Sequence, residues 1–408
     1  MHKFSNQFPG TAARIMGGIV LLLALAVFCP PTAVRAASPS VKDVIVYSRV
    51  PRTLDTTMLI KGEPVEVRHL DVFDALPEVA MPFSGFSAPG QLVLRGRYGW
   101  ERVIFDCYTE NLPCVPFDAS VSLDGRRIAF AVYRSDGFGH PRIRANEVLP
   151  NKLLGGRGRE SQIYIYTIKT RELSPWPHVP GQQDMNPIWL PDGRIMFASD
   201  RHGTREPFIP GATPTSKAPP RLYVANADGS GVVDIAPHEV GGAMHPWLLN
   251  SGRVAYSSKW LSHNLPFVGT NGGINWFTTL ENMWVLADID YRGGDMTALL
   301  GSHRNTIKAA DGRLKTMKAL HFIGQRRNDD ICIGNYYRRN NLGLGDVWCF
   351  APEPKLLEGA APSFLPSNIY NVANWSKSND ESNFTTDRAK VGFPEGARHG
   401  QLIVTVGK

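Results

Sequence analysis

Cysteine is scarce in this chain: there are five in 408 residues, and no two of them form a Cys-x-x-Cys pair. That absence excludes the Cys-x-x-Cys-His sequence that attaches a c-type haem, and it argues against a cysteine-based zinc site. The catalytic signatures Gly-x-Ser-x-Gly, His-Glu-x-x-His, Gly-x-Gly-x-x-Gly and Gly-x-x-x-x-Gly-Lys-Ser/Thr are also missing. The sequence therefore carries no strong motif of a hydrolase, a zinc protease or a nucleotide-dependent enzyme.

A strong excess of charge is lacking too. The formal net charge is +7, and no run rich in lysine and arginine is interleaved with aromatic residues. Proteins that bind nucleic acid usually concentrate basic residues on one stripe or patch. The composition thus argues against a nucleic-acid partner.

Only one long apolar run is present, Ile15–Cys29, behind a weakly basic start. Its 15 residues fall short of the roughly 20 that a membrane-spanning helix needs. Val34 and Ala36 provide small residues at the −3 and −1 positions of a cleavage site. Residues 1–36 are predicted to be a signal peptide, so we expect a periplasmic or secreted protein without a transmembrane span after cleavage.

Three stretches repeat one pattern of a polar residue, a short apolar run, a turn ending in glycine and a β-rich run. They are Asp118–Ala131, Asn186–Asp200 and His245–Ser258. Each turn contains Asp-Gly or Ser-Gly, which supplies the positive φ that we expect of a two-residue hairpin turn. Each stretch is therefore predicted to be a β-hairpin.

A second landmark follows each hairpin at intervals of about 60 residues, as a strand that contains Tyr164, Tyr223 or Trp284. Gly-containing turns at Asp228–Gly231 and Arg292–Asp295 then lead to a last short strand. Four strands per unit, repeated at this interval, are typical of propeller blades. Residues 37–408 are predicted to form an all-β propeller of four-stranded blades, with clear repeats over about 115–300.

The repeat resembles the TolB-type, WD40-like propeller repeat. The residues that carry the resemblance are Pro187, Phe197, Ser199, Asp200 and Arg201, followed by Leu222, Tyr223, Val224, Asn226, Asp228 and Gly229. The match is close in the second unit and weak beyond residue 310. The resemblance implies an exported propeller that binds other proteins.

The whole pattern is also similar to the propeller part of the hydrazine synthase α subunit family. That likeness implies an accessory or metal-binding subunit of a periplasmic redox complex. The chain departs from that haem-bearing subunit because it lacks Cys-x-x-Cys-His. We therefore expect no covalent c-type haem.

The ends of the chain are less regular. Leu320–Ile323, Asp330–Tyr336 and Asp346–Phe350 predict a fourth blade, and Gly400–Val406 resembles the post-turn strand of a fifth. Either residues 43–49 close the ring with residues 400–406, or the chain is a truncated copy of a longer protein. Residues 50–115 are a candidate for a further degenerate blade. We expect five to seven blades, with six favoured by the resemblance.

Four cysteines remain after signal cleavage, and an even number in an exported chain indicates disulfides. Proximity in the sequence favours Cys107 with Cys114 and Cys332 with Cys349 over the two other pairings. Four buried thiols are the alternative.

Three long segments, 134–161, 201–220 and 259–281, fall between the second and third strands of their units. All three should therefore emerge from one face of the propeller. Long insertions on one face of a repeat array commonly form a binding surface, and tolerated surface loops are the alternative.

The first polar residue of each innermost strand is expected to point into the central funnel. Alignment of Leu320-His321 with Met244-His245 places Asp118, Asn186, His245 and His321 there. Two imidazoles and a carboxylate would suit a divalent metal, so Asp118, His245 and His321 are candidate ligands and Asn186 is a polar funnel residue. The favoured alternative is that these side chains bond to backbone or water.

Two functional hypotheses remain. The first is a non-catalytic exported propeller that binds protein partners through one loop-rich face. The second is an accessory or metal-binding subunit of a periplasmic redox enzyme complex. Enzymatic activity is left undecided, and its absence is favoured because no strong catalytic motif is present.

Overall fold

The structure is a computed structural model. It describes residues 44–49, 56–60, 63–67, 90–96, 98–110, 114–134, 160–203, 220–239, 241–261, 282–301, 306–308, 314–316, 320–335, 346–351, 369–371, 390–396 and 402–407. The predicted signal peptide, residues 1–36, and most of the long inserted segments lie outside these residues. Their predictions are therefore not tested by the structure.

The described chain is all β, apart from one turn of 3₁₀ helix at Cys107–Thr109. Its strands are β1 (Val44–Arg49), β2 (Thr56–Ile60), β3 (Glu63–Val67), β4 (Gln91–Gly96), β5 (Glu101–Asp106), β6 (Cys114–Val121), β7 (Arg127–Arg134), β8 (Glu160–Thr167), β9 (Glu172–Pro175), β10 (Asp184–Trp189), β11 (Ile195–Ser199), β12 (Arg221–Ala225), β13 (Val233–Asp234), β14 (Ala243–Leu248), β15 (Arg253–Leu261), β16 (Asn282–Asp290), β17 (Thr297–Leu300), β18 (Thr306–Lys308), β19 (Leu314–Thr316), β20 (Leu320–Gln325), β21 (Ile331–Asn335), β22 (Asp346–Phe350), β23 (Tyr370–Asn371), β24 (Lys390–Gly396) and β25 (Leu402–Gly407).

Four sheets have four antiparallel strands in sequence order: β6 to β9, β10 to β13, β14 to β17, and β20 to β23. The first strands of consecutive sheets, β6, β10, β14 and β20, neighbour one another, so they form the innermost ring. Apolar side chains fill the space between adjacent sheets, as Met185, Met196 and Tyr256 do between the second and third sheets. The predicted propeller of four-stranded blades is confirmed.

The favoured number of six blades is wrong for the described residues, where five sheets have the three or four strands of a blade. The fifth sheet has the order β1-β4-β5. We call it the first sheet; its strands β4 and β5 lie within residues 50–115, so that region does contribute to a degenerate blade, as expected. β24 and β25 form a separate two-stranded sheet, as do β2 with β3 and β18 with β19.

The predicted closure of the ring by residues 43–49 on residues 400–406 is also wrong. β1 pairs with β4, where Val44 lies opposite Gly96 and Arg49 opposite Gln91. β25 pairs instead with β24. Each of these terminal strands therefore has its hydrogen-bonded partner elsewhere.

The hairpin turns have the predicted glycines at positive φ, with values of 68° at Gly125, 83° at Gly193 and 86° at Gly252. The expected two-residue turn is wrong, however. The amide of Gly125 donates to the carbonyl of Ser122, so the glycine follows the two central residues of the turn. Asp329, at φ 69°, takes the place of glycine in the last full blade, which explains why the Gly-containing pattern fades there.

The second landmark is in register in only part of the molecule. Tyr164 lies opposite Phe130 and Tyr223 opposite Phe197. In the third full blade the residue opposite Tyr256 is Ala287. Trp284 lies three residues before Ala287 in β16 and is opposite Lys259, so it is not equivalent to Tyr164 and Tyr223.

Both predicted disulfides are confirmed. Cys107–Cys114 joins the end of the first sheet to β6, and Cys332–Cys349 joins opposed residues of β21 and β22. We expect the mature protein to contain no free thiol and to give two intramolecular bridged peptides in non-reducing peptide mapping. Four titratable thiols in denaturant would contradict this pairing.

Long connections join the second and third strands of the full blades, between β7 and β8, β11 and β12, β15 and β16, and β21 and β22. Successive antiparallel strands reverse direction, so these connections leave one side of the propeller, which we call the loop face. The tight glycine turns between first and second strands lie on the opposite side, the turn face. The polarity of the insertions thus follows from strand order alone.

Candidate functional site

An irregularity interrupts each innermost strand of the four full blades at the same point. The ladder skips two residues, as at Asn186 and Pro187 between the pairs made by Met185 and Ile188. The first skipped residue has positive φ in every case: Asp118 at 56°, Asn186 at 50°, His245 at 51° and Phe322 at 56°. Asn, Asp and His tolerate this conformation better than most side chains.

The predicted alignment of His321 with His245 is wrong by one residue. His321 still pairs in its strand, opposite Gly334, and Phe322 takes the left-handed position. Sequence comparison missed this because a bulky aromatic residue is a rare choice at positive φ. Asp118, Asn186 and His245 do occupy equivalent positions, as predicted.

Hydrogen bonds link the left-handed residues from blade to blade. Oδ2 of Asp118 accepts from Nδ2 of Asn186 at 2.9 Å, from the Asn186 amide at 3.2 Å and from the Tyr133 hydroxyl. Oδ1 of Asn186 in turn accepts from the His245 amide at 3.3 Å. Asp118 and Asn186 therefore link the innermost strands β6, β10 and β14.

The two histidines meet at the interface between the third and fourth full blades. Nδ1 of His245 lies 3.2 Å from Nδ1 of His321, so one nitrogen donates and the other accepts. The rings of Trp284 and Phe322 pack against this pair. Both histidines are buried.

The surroundings of the histidine pair disfavour positive charge. Burial and the neighbouring His245 hold the pKa of His321 well below its usual value. His321 is therefore neutral at physiological pH. A neutral imidazole can accept a hydrogen bond from His245 or present a lone pair to a metal.

Among the residues described here, no group of three or more His, Cys, Asp or Glu side chains is arranged to hold a metal ion. Asp118 bonds to Asn186 and Tyr133, and the histidines contact one another. The metal role of Asp118, His245 and His321 stays a prediction.

Asp118 gives the innermost ring of strands a pH-dependent element. Burial raises its pKa from 3.8 to about 6, although the hydrogen bonds from Tyr133 and Asn186 act in the opposite direction. The folded protein thus holds this proton more tightly than the unfolded chain does. The contribution of Asp118 to the free energy of unfolding should therefore fall as pH rises between about 4 and 6.

Asp118→Asn is expected to remove that slope, because an amide does not titrate and still tolerates positive φ. Urea unfolding of both proteins across this pH window measures the difference. Parallel stability curves would contradict the assignment.

The loop face carries a second set of polar contacts that the sequence reading missed. Asp184, at the start of β10, is 1% exposed and accepts from Ser199 at 2.6 Å, from Arg201 at 2.9 Å and from Gln182 at 3.0 Å. Arg201 also lies over the Phe197 ring. The predicted repeat contained Ser199 and Arg201, but nothing in its spacing pointed to Asp184 as their common acceptor.

Glu239 plays the same part in the next blade from a loop position. It accepts from the Tyr256 hydroxyl at 2.6 Å and from Ser258 at 2.8 Å, and burial raises its pKa. The register places Ser258 opposite Ala243, where Ser199 has Asp184. A buried carboxylate thus stabilises the loop-face end of both blades. Asp184 belongs to the innermost strand of its blade, whereas Glu239 lies in the loop before the innermost strand.

Comparison with solved structures confirms the predicted resemblance at the level of the fold. Hydrazine synthase of Kuenenia stuttgartiensis matches with a TM-score of 0.54 and 12% identity over 90% of this chain. This chain spans 42% of the length of that protein. A putative TolB of Agrobacterium tumefaciens matches with a TM-score of 0.31 and 17% identity, covering 51% of this chain and 56% of its own.

Oligogalacturonate lyase of Vibrio parahaemolyticus matches with a TM-score of 0.38 and 11% identity, covering 75% of this chain and 65% of its own. No protein-family profile and no curated protein sequence matches the chain. Within the described part of the chain, no helix has the length and apolarity to cross a membrane. The comparisons therefore establish the propeller architecture and assign no activity to this chain.

Proposed function

We propose that this protein is an exported, non-catalytic β-propeller that binds protein partners through its loop face. The observation that carries the proposal is the placement of its long connections, which join second to third strands in all four full blades. On the opposite face tight turns join the first and second strands of these blades, and one long connection, from β22 to β23, also leaves that side. Long connections concentrated on one face of a repeat array are typical of a binding surface.

The contacts of the polar residues on the innermost strands support a scaffold rather than a catalyst. The side chains of Asp118 and Asn186 form hydrogen bonds with residues of the neighbouring blades. Asp184 and Glu239 anchor the loop-face ends of two blades. Rigid strand ends beneath long connections would hold a binding surface in place.

The proposed location is the periplasm or the extracellular space. Two disulfides within one chain favour an oxidising compartment. The predicted signal peptide over residues 1–36 supports the same location. We expect the partner to be an exported protein as well.

Paired photo-crosslinking tests the proposal. Val179 lies between β9 and β10 on the loop face and is 59% exposed, whereas Leu123 lies in a turn on the opposite face and is 67% exposed. A photoreactive amino acid at position 179 should yield a discrete adduct with a partner protein in cells, and the same residue at position 123 should not. Equal labelling from both positions, or none from 179 and its loop-face neighbour Gly203, would overturn the proposal.

A second candidate is an accessory or metal-binding subunit of a periplasmic redox complex related to the hydrazine synthase α subunit, without covalent haem. The observation that favours it is the separation of 3.2 Å between the Nδ1 atoms of His245 and His321. Two ligands of a tetrahedral zinc ion, with bonds of about 2.0–2.1 Å, lie at a similar separation. Asp118 is the third proposed ligand.

Metal analysis of the purified mature chain distinguishes the two functions. The metal-binding role predicts stoichiometric zinc or iron that His245→Asn removes, since asparagine keeps the tolerance for positive φ. A metal-free protein that also fails to bind added zinc would exclude the metal-binding role, and the protein-binding scaffold would be the remaining proposal. Ser251→Ala, on the turn face, is the matched control.

A further inference from the structure

The two buried carboxylates at the loop-face ends of the second and third full blades differ in their partners. Asp184 and Glu239 each accept a hydrogen bond from a serine near the end of a second strand, Ser199 in β11 and Ser258 in β15. The ladders of the two blades make these serines equivalent. A difference in the chemistry of the two carboxylates must therefore come from their other neighbours.

The neighbours of Asp184 suit a charged carboxylate. Nη2 of Arg201 donates to Oδ1 at 2.9 Å, and Nε2 of Gln182 lies 3.0 Å from both carboxylate oxygens. Guanidinium and amide NH groups donate and cannot accept a hydrogen bond. A proton on Asp184 would therefore face donors, and the position of Asp184 in β10 limits its movement.

Glu239 has partners of another kind. Its two carboxylate oxygens accept from the hydroxyls of Tyr256 at 2.6 Å and Ser258 at 2.8 Å. A hydroxyl can donate to a carboxylate or accept from a protonated carboxyl group, so both protonation states of Glu239 can be satisfied. Glu239 is 4% exposed, and burial favours the neutral state.

Few charged groups oppose that effect of burial. Among the described residues, the only cation within ion-pair distance of the Glu239 carboxylate is His238, with Nε2 at 3.7 Å and 41% of its side chain exposed. Arg221 of β12 donates to the Glu239 backbone carbonyl and pairs with Asp234. Asp288 of β16 interacts electrostatically with Tyr256. Burial accordingly raises the pKa of Glu239 above its usual 4.5, although both hydroxyls, His238 and Arg221 act in the opposite direction.

We propose that Glu239 is a pH-sensitive contact between the 235–239 segment and β15, closed when its carboxyl group is neutral and loosened when it is ionised. An ionised carboxylate gains hydration by turning toward water. Glu239 can do so because it follows the exposed turn residues Pro237 and His238 rather than lying in a strand. The proposal does not depend on any binding partner.

The direction of the pH effect follows from the raised pKa. The folded protein binds the proton of Glu239 more tightly than the unfolded chain does. The stability that this group contributes is therefore present in acid and is lost as pH rises above about 4.5 through the folded pKa. We expect the contact to be closed at acidic pH and to open more often at neutral and alkaline pH.

Hydrogen exchange at two amides reads the contact directly. The amide of residue 239 donates to the Ala236 carbonyl at 3.0 Å, and the amide of Lys259 donates to the Gly242 carbonyl at 2.8 Å. After correction for intrinsic exchange rates, protection of both should fall in the wild type from about pH 5 to about pH 8, by up to about tenfold per pH unit. Amides of β11 are the internal reference for global unfolding.

Glu239→Gln is the decisive variant, because its amide is neutral at every pH and can accept from one hydroxyl and donate to the other. Protection at residues 239 and 259 should then be independent of pH and should exceed that of the wild type at about pH 8. Asp118 titrates in both proteins, so its effect cancels in the comparison. Asp184→Asn is the matched control in the second full blade, and it should keep the wild-type pH dependence at residues 239 and 259.

Three results would overturn the proposal. The first is a wild-type protection that does not change with pH, and the second is an equal pH dependence in Glu239→Gln. The third is weaker protection in Glu239→Gln than in the wild type at about pH 8, which would show that the contact requires the ionised carboxylate.

Discussion

Replacing Asp184 with alanine is expected to lower the free energy of unfolding by about 4 kcal/mol, because it breaks a buried ion pair and its hydrogen bonds. The carboxylate is 1% exposed and accepts from Ser199, Arg201 and Gln182. Without it, the Arg201 guanidinium loses its anion and the Ser199 hydroxyl its acceptor. Urea unfolding of wild type and variant measures the loss.

Asp192→Ala is the matched control. Asp192 also pairs with an arginine, Arg194 at 2.8 Å, but it is exposed in a turn on the opposite face. A surface pair of this kind contributes about 0–1 kcal/mol, so the control should change stability little. Equal losses for the two variants would show that the loop-face carboxylate is not a specific anchor.

This anchor matters for the proposed function because of its position. Arg201 lies at the start of the long segment that separates β11 from β12. A variant that folds but has lost the Asp184 contact should crosslink less from Val179, whereas Asp192→Ala should crosslink normally. Stability and binding would then depend on the same buried carboxylate.

Local turn chemistry is what made the fold predictable. Gly125, Gly193 and Gly252 adopt positive φ as expected, and the hairpins around them are the first two strands of three blades. The disulfides were predictable from proximity alone. Blade number was not, because it depends on which distant strands pair, and β1 and β25 have similar sequences but different partners.

The candidate site was only partly predictable. The repeat brought Asp118, Asn186 and His245 to equivalent positions, but a one-residue shift placed Phe322 where His321 was expected. Burial of the two histidines depends on Trp284 and Phe322, which come from different strands. Glu239 was missed because it reaches its serine from a loop, outside the repeating pattern.

Asn186→Ala is expected to lower the free energy of unfolding by about 3 kcal/mol, by adding a backbone cost to the loss of two hydrogen bonds. Asn186 is 6% exposed and has φ 50°, a conformation that alanine adopts poorly. Its side chain donates to Asp118 and accepts from the His245 amide, so truncation removes both of these bonds between blades, while Tyr133 and the residue-186 amide still donate to Asp118. Chemical denaturation measures the total.

Asn186→Gly separates the two parts of that cost. Glycine adopts positive φ freely, so this variant should lose only the side-chain contacts and fall between wild type and Asn186→Ala in stability. Asn186→Ala should also shift the titration of Asp118, because a donor that stabilises its carboxylate is gone and its pKa should rise further. If alanine and glycine variants are equally stable and Asp118 titrates unchanged in both, the left-handed residues do not link the blades.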